Sequence, residues 1–250
     1  MKTVGQGLAP AARGHLVPNE RQGQAPALQC IKYKGGFSMT SKQGFIEFMQ
    51  SAGVLTFGDF TTKSGRKTPY FVNTGNYKTG MHISTLGDYY ADCIVSSGES
   101  FDALFGPAYK GITLSAAAAA SLYRNHGVDL PFFFNRKEAK DHGEGGSLIG
   151  YAPKDGDRIA IIEDVVTAGT AVRESLQLLK SVADVLVSAL FVSVDRMERG
   201  TGKSSTLDEL RDEFGINVYS IINAREIIDS LPAGDERAVS IERYLKEYGA

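Results

Sequence analysis

The sequence predicts an α/β fold in which a mostly parallel sheet is flanked by helices. Two observations lead to this prediction. From residue 103 onwards, short apolar strands alternate with helical segments, and the strands Arg158–Glu163 and Val185–Val194 are almost continuously apolar. Such runs are typical of parallel strands that are covered on both faces. The 250 residues are enough for one domain of this kind with a full core.

The composition excludes several broad classes of protein. Hydrophobic residues make up 42% of the chain, and the formal net charge is -2, which favours neither nucleic acid nor an anionic membrane as a partner. No apolar run approaches the roughly 20 residues of a membrane span. Cys30 and Cys93 have no CxxC neighbour, so we expect free thiols in a reducing cytoplasm. Any anion site must come from local clusters of Lys and Arg.

Residues Met1–Ser38 differ from the rest of the chain. They are rich in Gly, Pro, Ala and Gln and show no apolar period, which predicts a flexible extension. An alternative is that Met39 is the natural start and the upstream part is an over-extended reading frame. The segment lacks the apolar core of a secretory signal, and its composition is only weakly typical of a transit peptide. Residues 39–250 are predicted to form a single domain.

The chain from Lys42 onwards shows clear periodicity. A helix starting at Lys42 is expected to end at Gly53, and two strand-like runs, Val54–Phe60 and Pro69–Asn73, predict a hairpin or small annex. Further helices are predicted at Ile83–Ser96, Ile112–His126, Ala171–Ser181, Leu207–Phe214, Ala224–Ser230 and Val239–Tyr248, and further strands at Ala103–Phe105, Pro131–Asn135 and Val218–Ile222.

The most informative segment is a strand that ends in two acids and a loop of small residues. Residues Arg158–Ala171 read RIAIIEDVVTAGTA, in which Glu163 and Asp164 precede a tight loop and a helix. In an open α/β sheet, ligands bind beyond the carboxyl ends of the strands. Small residues let backbone N–H groups approach an anion, and the helix N-terminus adds free N–H groups and a positive dipole end. The segment therefore predicts a monophosphate site.

The acid pair needs a separate explanation, because carboxylates repel phosphate. A ribose 5-phosphate supplies one, since its phosphate would lie in the loop while its 2′- and 3′-hydroxyls donate hydrogen bonds to Glu163 and Asp164. The simpler alternative is that acids at a strand end only cap the following helix.

The same segment resembles the phosphoribosyl pyrophosphate (PRPP) signature of the type I phosphoribosyltransferases. Glu163 stands where Asp is frequent, but Glu can also accept from a hydroxyl. The resemblance implies a type I phosphoribosyltransferase fold with a small N-terminal annex or hood. It also implies PRPP contacts from a continuous set of residues: Glu163, Asp164, Val165, Val166, Thr167, Ala168, Gly169, Thr170 and Ala171.

Four further segments point to orotate as the base. Residues Phe60–Asn73 read FTTKSGRKTPYFVN and resemble the N-terminal signature of orotate phosphoribosyltransferases. The resemblance implies that Lys63 contacts PRPP or orotate and that Phe71 and Val72, together with Thr167, line the orotate pocket. Taken alone, a turn rich in Lys, Gly and Arg is usually just solvated.

The second segment, Phe105–Ile112, reads FGPAYKGI. Gly106 and Gly111 bracket a tight strand-to-helix turn, which is another geometry suited to anions. In the family this turn embraces the pyrophosphate, which implies that Tyr109 and Lys110 contact the ligand. The alternative is an ordinary connection with a helical lysine.

The third segment, Asn135–Gly146, reads NRKEAKDHGEGG and has no apolar anchor, so we expect it to be mobile without ligand. It resembles the catalytic lid of orotate phosphoribosyltransferases. The resemblance implies that Arg136, Lys137, Lys140 and His142 contact PRPP. In the family the lid reaches the active site of the partner subunit, so a homodimer is expected.

The fourth segment follows the long strand and includes Asp195 and Arg196. Arg196 matches the family's orotate-binding arginine. A guanidinium pairs bidentately with a planar carboxylate, which orotate has and uracil lacks. We expect Asp195 to orient it, although an Arg at a strand end is more often part of a surface ion pair.

Together these resemblances imply a magnesium-dependent transferase that converts orotate and PRPP into orotidine 5′-monophosphate and pyrophosphate in pyrimidine biosynthesis. The catalytic residues implied are Lys137, Lys140, His142 and Asp164, and Mg²⁺ is expected to be held mainly by PRPP and pyrophosphate, without a dedicated protein site. Two alternatives remain: a purine or uracil phosphoribosyltransferase, and a non-catalytic regulator that senses PRPP.

Overall fold

The computed structural model describes residues 41–62, 65–137, 147–200 and 202–250. The predictions for Met1–Ser38, Lys63, Lys140 and His142 lie outside these ranges. The helices are α1 (Lys42–Ser51), α2 (Gly80–Ser96), α3 (Lys110–Ser121), α4 (Thr170–Val182), α5 (Thr206–Phe214), α6 (Ala224–Asp229) and α7 (Glu236–Tyr248). The strands are β1 (Leu55–Thr61), β2 (Lys67–Val72), β3 (Ala103–Gly106), β4 (Phe132–Asn135), β5 (Leu148–Gly150), β6 (Arg158–Glu163), β7 (Leu186–Asp195) and β8 (Asn217–Asn223).

A six-stranded sheet in the order β5-β4-β3-β6-β7-β8 forms the centre of the fold. All neighbouring pairs in it are parallel except β4 with β5. The predicted α/β class with a mostly parallel sheet is therefore confirmed. The central strands β3 and β6 are buried almost throughout, as the unbroken apolar runs predicted.

Helices cover both faces of the sheet. One layer of core side chains includes residues of α1, α2, α3, α6 and α7, and the other includes residues of α4 and α5. Each strand supplies both layers because successive side chains point to opposite faces. In β6, for example, Ala160 and Ile162 belong to the first layer, whereas Ile159 and Ile161 belong to the second.

The predicted annex is a separate antiparallel hairpin of β1 and β2. It packs against the C-terminal helix α7. The buried ring of Tyr70 in β2 meets Tyr244 of α7 edge to face, with ring centroids 6.4 Å apart. Helix α7 therefore stabilises the hairpin by packing against β2.

Local capping signals fix the ends of several helices. Ser41 accepts a hydrogen bond from the backbone N–H of Gly44 at the start of α1, and Asn223 and Glu226 form a capping box at the start of α6. At the other end, α5 stops at Gly215, whose φ of 67° suits glycine. Within the described residues, no helix is long and apolar enough to cross a membrane.

The helix predicted at Ile112–His126 ends in an irregular turn. It starts at Lys110, and its last turn, Leu122–His126, is a π-helix. Buried Asp88 of α2 accepts hydrogen bonds from Arg124 and Asn125 in this turn and from Ser121 before it. These contacts bind the widened turn to α2, which the apolar pattern of the segment does not show.

The short strand β5 was not predicted. It has only three residues, and it pairs antiparallel with β4. The backbone N–H of Arg136 donates to the carbonyl oxygen of Ser147 at 2.8 Å. This pairing brings Arg136 and Ser147 together beside the carboxyl end of β4.

The turn between β3 and α3 depends on very close backbone packing. A Cβ atom added at Gly106 would lie 2.0 Å from the carbonyl oxygen of Gly111 and 2.3 Å from the hydroxyl of Ser115. Neither the helix backbone nor a buried side chain can give way by that amount. Glycine at position 106 therefore allows α3 to start directly at the strand end.

We predict that Gly106→Ala destabilises the protein by about 2–4 kcal/mol, because the added methyl group overpacks this turn. Urea unfolding followed by circular dichroism measures the loss. Gly80→Ala is the matched control, since a Cβ at Gly80 meets no atom within 4 Å. Equal stability of the two variants would contradict the close packing of β3 and α3.

Candidate active site

The two acids of the predicted phosphate site are buried side by side at the carboxyl end of β6. Glu163 and Asp164 are 9% and 8% exposed. The hydroxyl of Tyr90 donates to the carbonyl oxygen of Glu163 at 2.6 Å. The carbonyl oxygen of Asp164 accepts from both the backbone N–H and the hydroxyl of Ser193, at 2.9 and 2.7 Å. Two neighbouring elements, α2 and β7, therefore fix the backbone that carries the acids.

Asp164 is engaged by a lysine and a threonine from other elements. The Nζ of Lys110 lies 2.6 Å from Oδ2 of Asp164 and 2.8 Å from the hydroxyl of Thr74, which also donates to Asp164. Thr74 was not among the site residues predicted from the sequence. Its place just after the hairpin was the only sequence feature that pointed to the site, since its partner Asp164 lies 90 residues further along the chain.

The pKa values of the two carboxyl groups are shifted in opposite directions. Burial raises the pKa of Glu163, and the hydrogen bond and negative charge of Asp164 raise it further. Burial would also raise the pKa of Asp164, but hydrogen bonds from Glu163, Lys110 and Thr74 lower it below its ordinary value. The raised pKa of Glu163 favours its neutral form, whereas the lowered pKa of Asp164 favours the carboxylate that pairs with Lys110.

The loop after the acids has the form expected of an anion site. Gly169 adopts a left-handed conformation with φ of 73° at the N-terminus of α4, and no side chain caps that helix. The alternative in which Glu163 and Asp164 cap the helix is therefore wrong. The carbonyl oxygens of Thr167 and Ala168 are bonded to the side chains of Thr206 and Arg173. These bonds occupy oxygens that would otherwise repel an anion.

The acids and the loop line one cavity of about 360 Å³, which falls within the usual size of small-molecule sites. The cavity also includes the turn between β3 and α3. Its lining residues are Pro107, Ala108, Tyr109, Lys110, Glu163, Asp164, Val165, Val166, Thr167, Ala168, Gly169, Thr170, Ala171 and Val172. The structure thus brings the two turns that were predicted to bind anions into a single site.

The β3–α3 turn is anchored to the strand beside it. The backbone N–H of Ala108 donates to Oδ1 of Asn135 at the end of β4, at 2.8 Å, and the Ala108–Tyr109 peptide is cis. Tyr109 is 68% exposed, and the Nζ of Lys137 lies 5.3 Å from the centre of its ring. Lys137, the last described residue before the segment 138–146, is therefore next to the cavity.

The residues predicted to bind the base lie on the hairpin and after β7. Phe71 is 41% exposed on β2 and packs on Phe60, with ring centroids 5.5 Å apart, and Val72 is the last residue of that strand. Arg196 directly follows β7 and donates to the hydroxyl of Thr68 in β2 at 3.2 Å. The structure thus brings the predicted arginine to the hairpin.

Asp195 does not orient Arg196, contrary to expectation. Its Oδ1 accepts from the backbone N–H of Met197 at 2.8 Å. Glu198 takes that place, since its Oε1 lies 2.7 Å from Nε and 2.6 Å from Nη2 of Arg196. The carboxylate of Asp195 is instead occupied by the backbone turn that follows β7.

A protein-built metal centre is not found among the described residues, where no three His, Cys, Asp or Glu side chains converge. Asp164, with Glu163 next to it, offers a carboxylate beside the cavity. Such a donor set fits a cation such as Mg²⁺, which binds through one or two carboxylates and otherwise through substrate phosphates and water.

We predict that Glu163→Gln increases stability at alkaline pH. The raised pKa of Glu163 means that the folded protein keeps a proton which the unfolded chain has released, so folding becomes less favourable as the pH rises from the unfolded to the folded pKa. Glutamine resembles the protonated acid and carries no charge. Unfolding free energies measured at mildly acidic and alkaline pH should show that the advantage of the variant grows by about 1–3 kcal/mol.

Glu174→Gln, on the solvent-exposed side of α4, is the matched control and should show no such growth with pH. If the advantage of Glu163→Gln does not change with pH, the pKa of Glu163 is not raised in the folded protein.

Comparison with known proteins identifies the family. The phosphoribosyl transferase domain model matches residues 73–218. The chain is 48% identical to an orotate phosphoribosyltransferase of Clostridium beijerinckii over 219 residues, which cover 84% of this chain and 98% of the relative. It is also 48% identical to the orotate phosphoribosyltransferase of Klebsiella pneumoniae, over 82% of this chain and 96% of the relative.

A solved structure agrees with these relatives. The crystal structure of the Francisella tularensis orotate phosphoribosyltransferase superimposes with a TM-score of 0.75 at 37% identity, covering 82% of this chain and 99% of that one. The residues matched by the domain model, 73–218, include the strand-end acids and both anion turns. The chain therefore belongs to the phosphoribosyltransferase family and, within it, to the orotate phosphoribosyltransferases.

Proposed function

We propose that the cavity at the strand ends carries out the reaction of its family, in which the 5-phosphoribosyl group of PRPP is transferred to orotate. The products are orotidine 5′-monophosphate and pyrophosphate, so the enzyme is a glycosyltransferase of pyrimidine biosynthesis. One observation carries the proposal: two glycine-containing turns suited to anions face the same cavity, with a buried acid pair between them. PRPP has the matching form, with a phosphate at one end, a diphosphate at the other and hydroxyls between.

The ribose 5-phosphate half of PRPP is assigned to the β6–α4 loop. Backbone N–H groups from Thr167 to Ala171, together with the dipole of α4, bind the phosphate. Glu163 and Asp164 bind the ribose hydroxyls, with Val165 and Val166 beneath them. A pair with one neutral and one charged carboxyl group suits this role, because it offers one donor and several acceptors to two hydroxyl groups.

The pyrophosphate half is assigned to the β3–α3 turn and the lid segment. Lys110 is held by Asp164 and Thr74, so binding of PRPP exchanges this ion pair for a contact with the diphosphate. The exchange also frees Oδ2 of Asp164 for a ribose hydroxyl. Tyr109, Arg136, Lys137, Lys140 and His142 complete the set of residues around the diphosphate.

The chemical step needs positioning and charge stabilisation more than acid–base chemistry. The ring nitrogen N1 of orotate, once deprotonated, attacks C1′ of the ribose and displaces pyrophosphate with inversion. The transition state has oxocarbenium character on the ribose and growing negative charge on the leaving group. Lys110 and the cations of the lid stabilise that charge in this proposal. If Mg²⁺ binds with PRPP, Glu163 and Asp164 are the residues that would help to hold it, and it would supply further positive charge to the diphosphate.

The base is assigned to the face between the hairpin and the end of β7. Phe71 and Val72 line it together with Thr167, and the guanidinium of Arg196 pairs with the carboxylate of orotate. Uracil lacks that carboxylate. The position of Arg196 next to β2 supports orotate over uracil as the substrate.

Three broader features complete the proposal. The segment Asn135–Gly146 acts as a lid that excludes water during transfer. The enzyme works as a homodimer, in which the lid of one subunit reaches the active site of the other. We also place it in the cytoplasm, where the free thiol of Cys93 stays reduced.

The proposed reaction is tested by measuring pyrophosphate release from PRPP with orotate, uracil or adenine as the only base. Only orotate should support rapid release and give a nucleotide product. Rapid release with uracil or adenine would make this a different phosphoribosyltransferase. Binding of PRPP without turnover on any base would favour a regulator.

We predict that Lys140→Ala lowers turnover about 100- to 1000-fold with the fold intact, because a cation at the leaving group is lost. Steady-state kinetics measure the effect, and circular dichroism checks the fold. Lys154→Ala is the matched control, since Lys154 is an exposed lysine outside the cavity. Turnover that matches the control would remove Lys140 from the catalytic set.

Mixing Lys140→Ala subunits with Asp164→Asn subunits tests whether the lid acts across the dimer. Each hybrid dimer then contains one site with an intact lid and an intact acid. With free exchange of subunits, activity should return to about one quarter of the wild-type level. If the mixture stays inactive although hybrid dimers form, the lid closes on its own subunit.

A further inference from the structure

The guanidinium of Arg196 is held in a mostly buried cluster. Its side chain is only 10% exposed, and it forms an ion pair with Glu198 through Nε and Nη2. Its Cζ lies 4.3 Å from the centre of the Tyr70 ring, and Nη2 also contacts the hydroxyl of Thr68. The ring below, the hydroxyl and the carboxylate together restrict the plane and the rotation of the guanidinium.

Glu198 is in turn held by the C-terminal helix. Its Oε1, the atom that binds Arg196, also accepts from the hydroxyl of Tyr244 in α7 at 2.8 Å. The backbone of Glu198 forms an isolated antiparallel bridge with Gly249, just beyond that helix. Arg66 of the hairpin lies 4.0 Å from the other carboxylate oxygen. The orientation of Glu198 therefore depends on the packing of α7.

The geometry of this ion pair determines which side of the arginine can meet a ligand. Glu198 takes the edge formed by Nε and Nη2. The edge formed by Nη1 and Nη2 is then the one that can pair two-to-two with a ligand carboxylate, which would take the second N–H of Nη2 from the hydroxyl of Thr68. A carboxylate next to Arg196 also weakens its attraction for an anion, so Glu198 contributes orientation rather than charge. Burial of Arg196 without such a counterion would be unfavourable.

We propose that Glu198 and Tyr244 are positioning residues for base recognition: Tyr244 holds Glu198, and Glu198 orients the guanidinium of Arg196 toward the carboxylate of orotate. The C-terminal helix thereby becomes part of the specificity apparatus, although it does not touch the substrate. This inference rests on the proposed contact between Arg196 and orotate.

Tyr244→Phe removes the hydroxyl and keeps the ring that packs on Tyr70 and Tyr248. We expect the KM for orotate to rise about three- to tenfold, as for the loss of one hydrogen bond to a charged group, while kcat and the KM for PRPP stay within twofold. Tyr219→Phe is the matched control. It loses a hydrogen bond of 2.9 Å to Glu99, which lies near the amino ends of the strands, away from the proposed site. Both KM values should therefore stay unchanged.

A double-mutant cycle separates positioning from simple structural support. If Tyr244 acts through Arg196, Tyr244→Phe has no further effect on the KM for orotate once Arg196→Ala has been introduced. Effects that multiply in the double variant would mean that Tyr244 acts independently of Arg196 and would overturn the inference. Glu198→Gln should show the same selective rise and the same dependence on Arg196, and a rise in both KM values would also overturn it.

The cycle also distinguishes failure of this inference from failure of the function on which it rests. If Arg196→Ala alone leaves the KM for orotate unchanged, the proposed contact with orotate is wrong. If Arg196→Ala raises the KM for orotate but Tyr244→Phe does not, the contact stands and the positioning role is wrong.

Discussion

Burial of two adjacent carboxyl groups at the end of β6 is the constraint on which the rest of the site depends. Two buried charges so close together would repel each other strongly. The raised pKa of Glu163 favours its neutral form, and Lys110 pairs with Asp164. Lys110 can reach Asp164 because α3 starts directly at the end of β3, where Gly106 and Gly111 allow the backbones to touch. The charge balance of the acids therefore depends on the packing of the neighbouring turn.

The sheet order explains why the remaining site segments meet at the same place. Strands β4, β3, β6 and β7 are consecutive neighbours and mutually parallel, so their carboxyl ends lie along one edge. Asn135 and Arg136 stand at the end of β4, the turn with Lys110 follows β3, the β6–α4 loop follows β6, and Arg196 follows β7. Four parts of the chain that are far apart in sequence thus lie at the same edge of the sheet.

The sequence was sufficient for features that depend on nearby residues. The strand Arg158–Glu163, the loop after it and the hairpin could be predicted because alternation, small residues and turn chemistry are local properties. Thr74 and β5 could not, because each depends on a partner supplied by tertiary packing or strand pairing, as when Thr74 meets Asp164. The pairing of Arg196 with Glu198 is local, two residues apart, but no sequence pattern distinguished Glu198 from Asp195 as the partner. The expectation for Asp195 failed because its carboxylate accepts from the backbone N–H of Met197 instead.

This division between local and assembled features also separates the two halves of the proposed substrate pair. The residues assigned to PRPP lie mainly in short continuous segments, whose backbone N–H groups and glycines set the geometry. The base side is assembled from the hairpin, the end of β7 and the C-terminal helix, through Thr68, Arg196 and Tyr244. A change of base would therefore require changes in the hairpin and α7, while the strand-end loops stayed the same. In this proposal, recognition of the phosphoribosyl group and recognition of the base share Thr167 but otherwise depend on different segments.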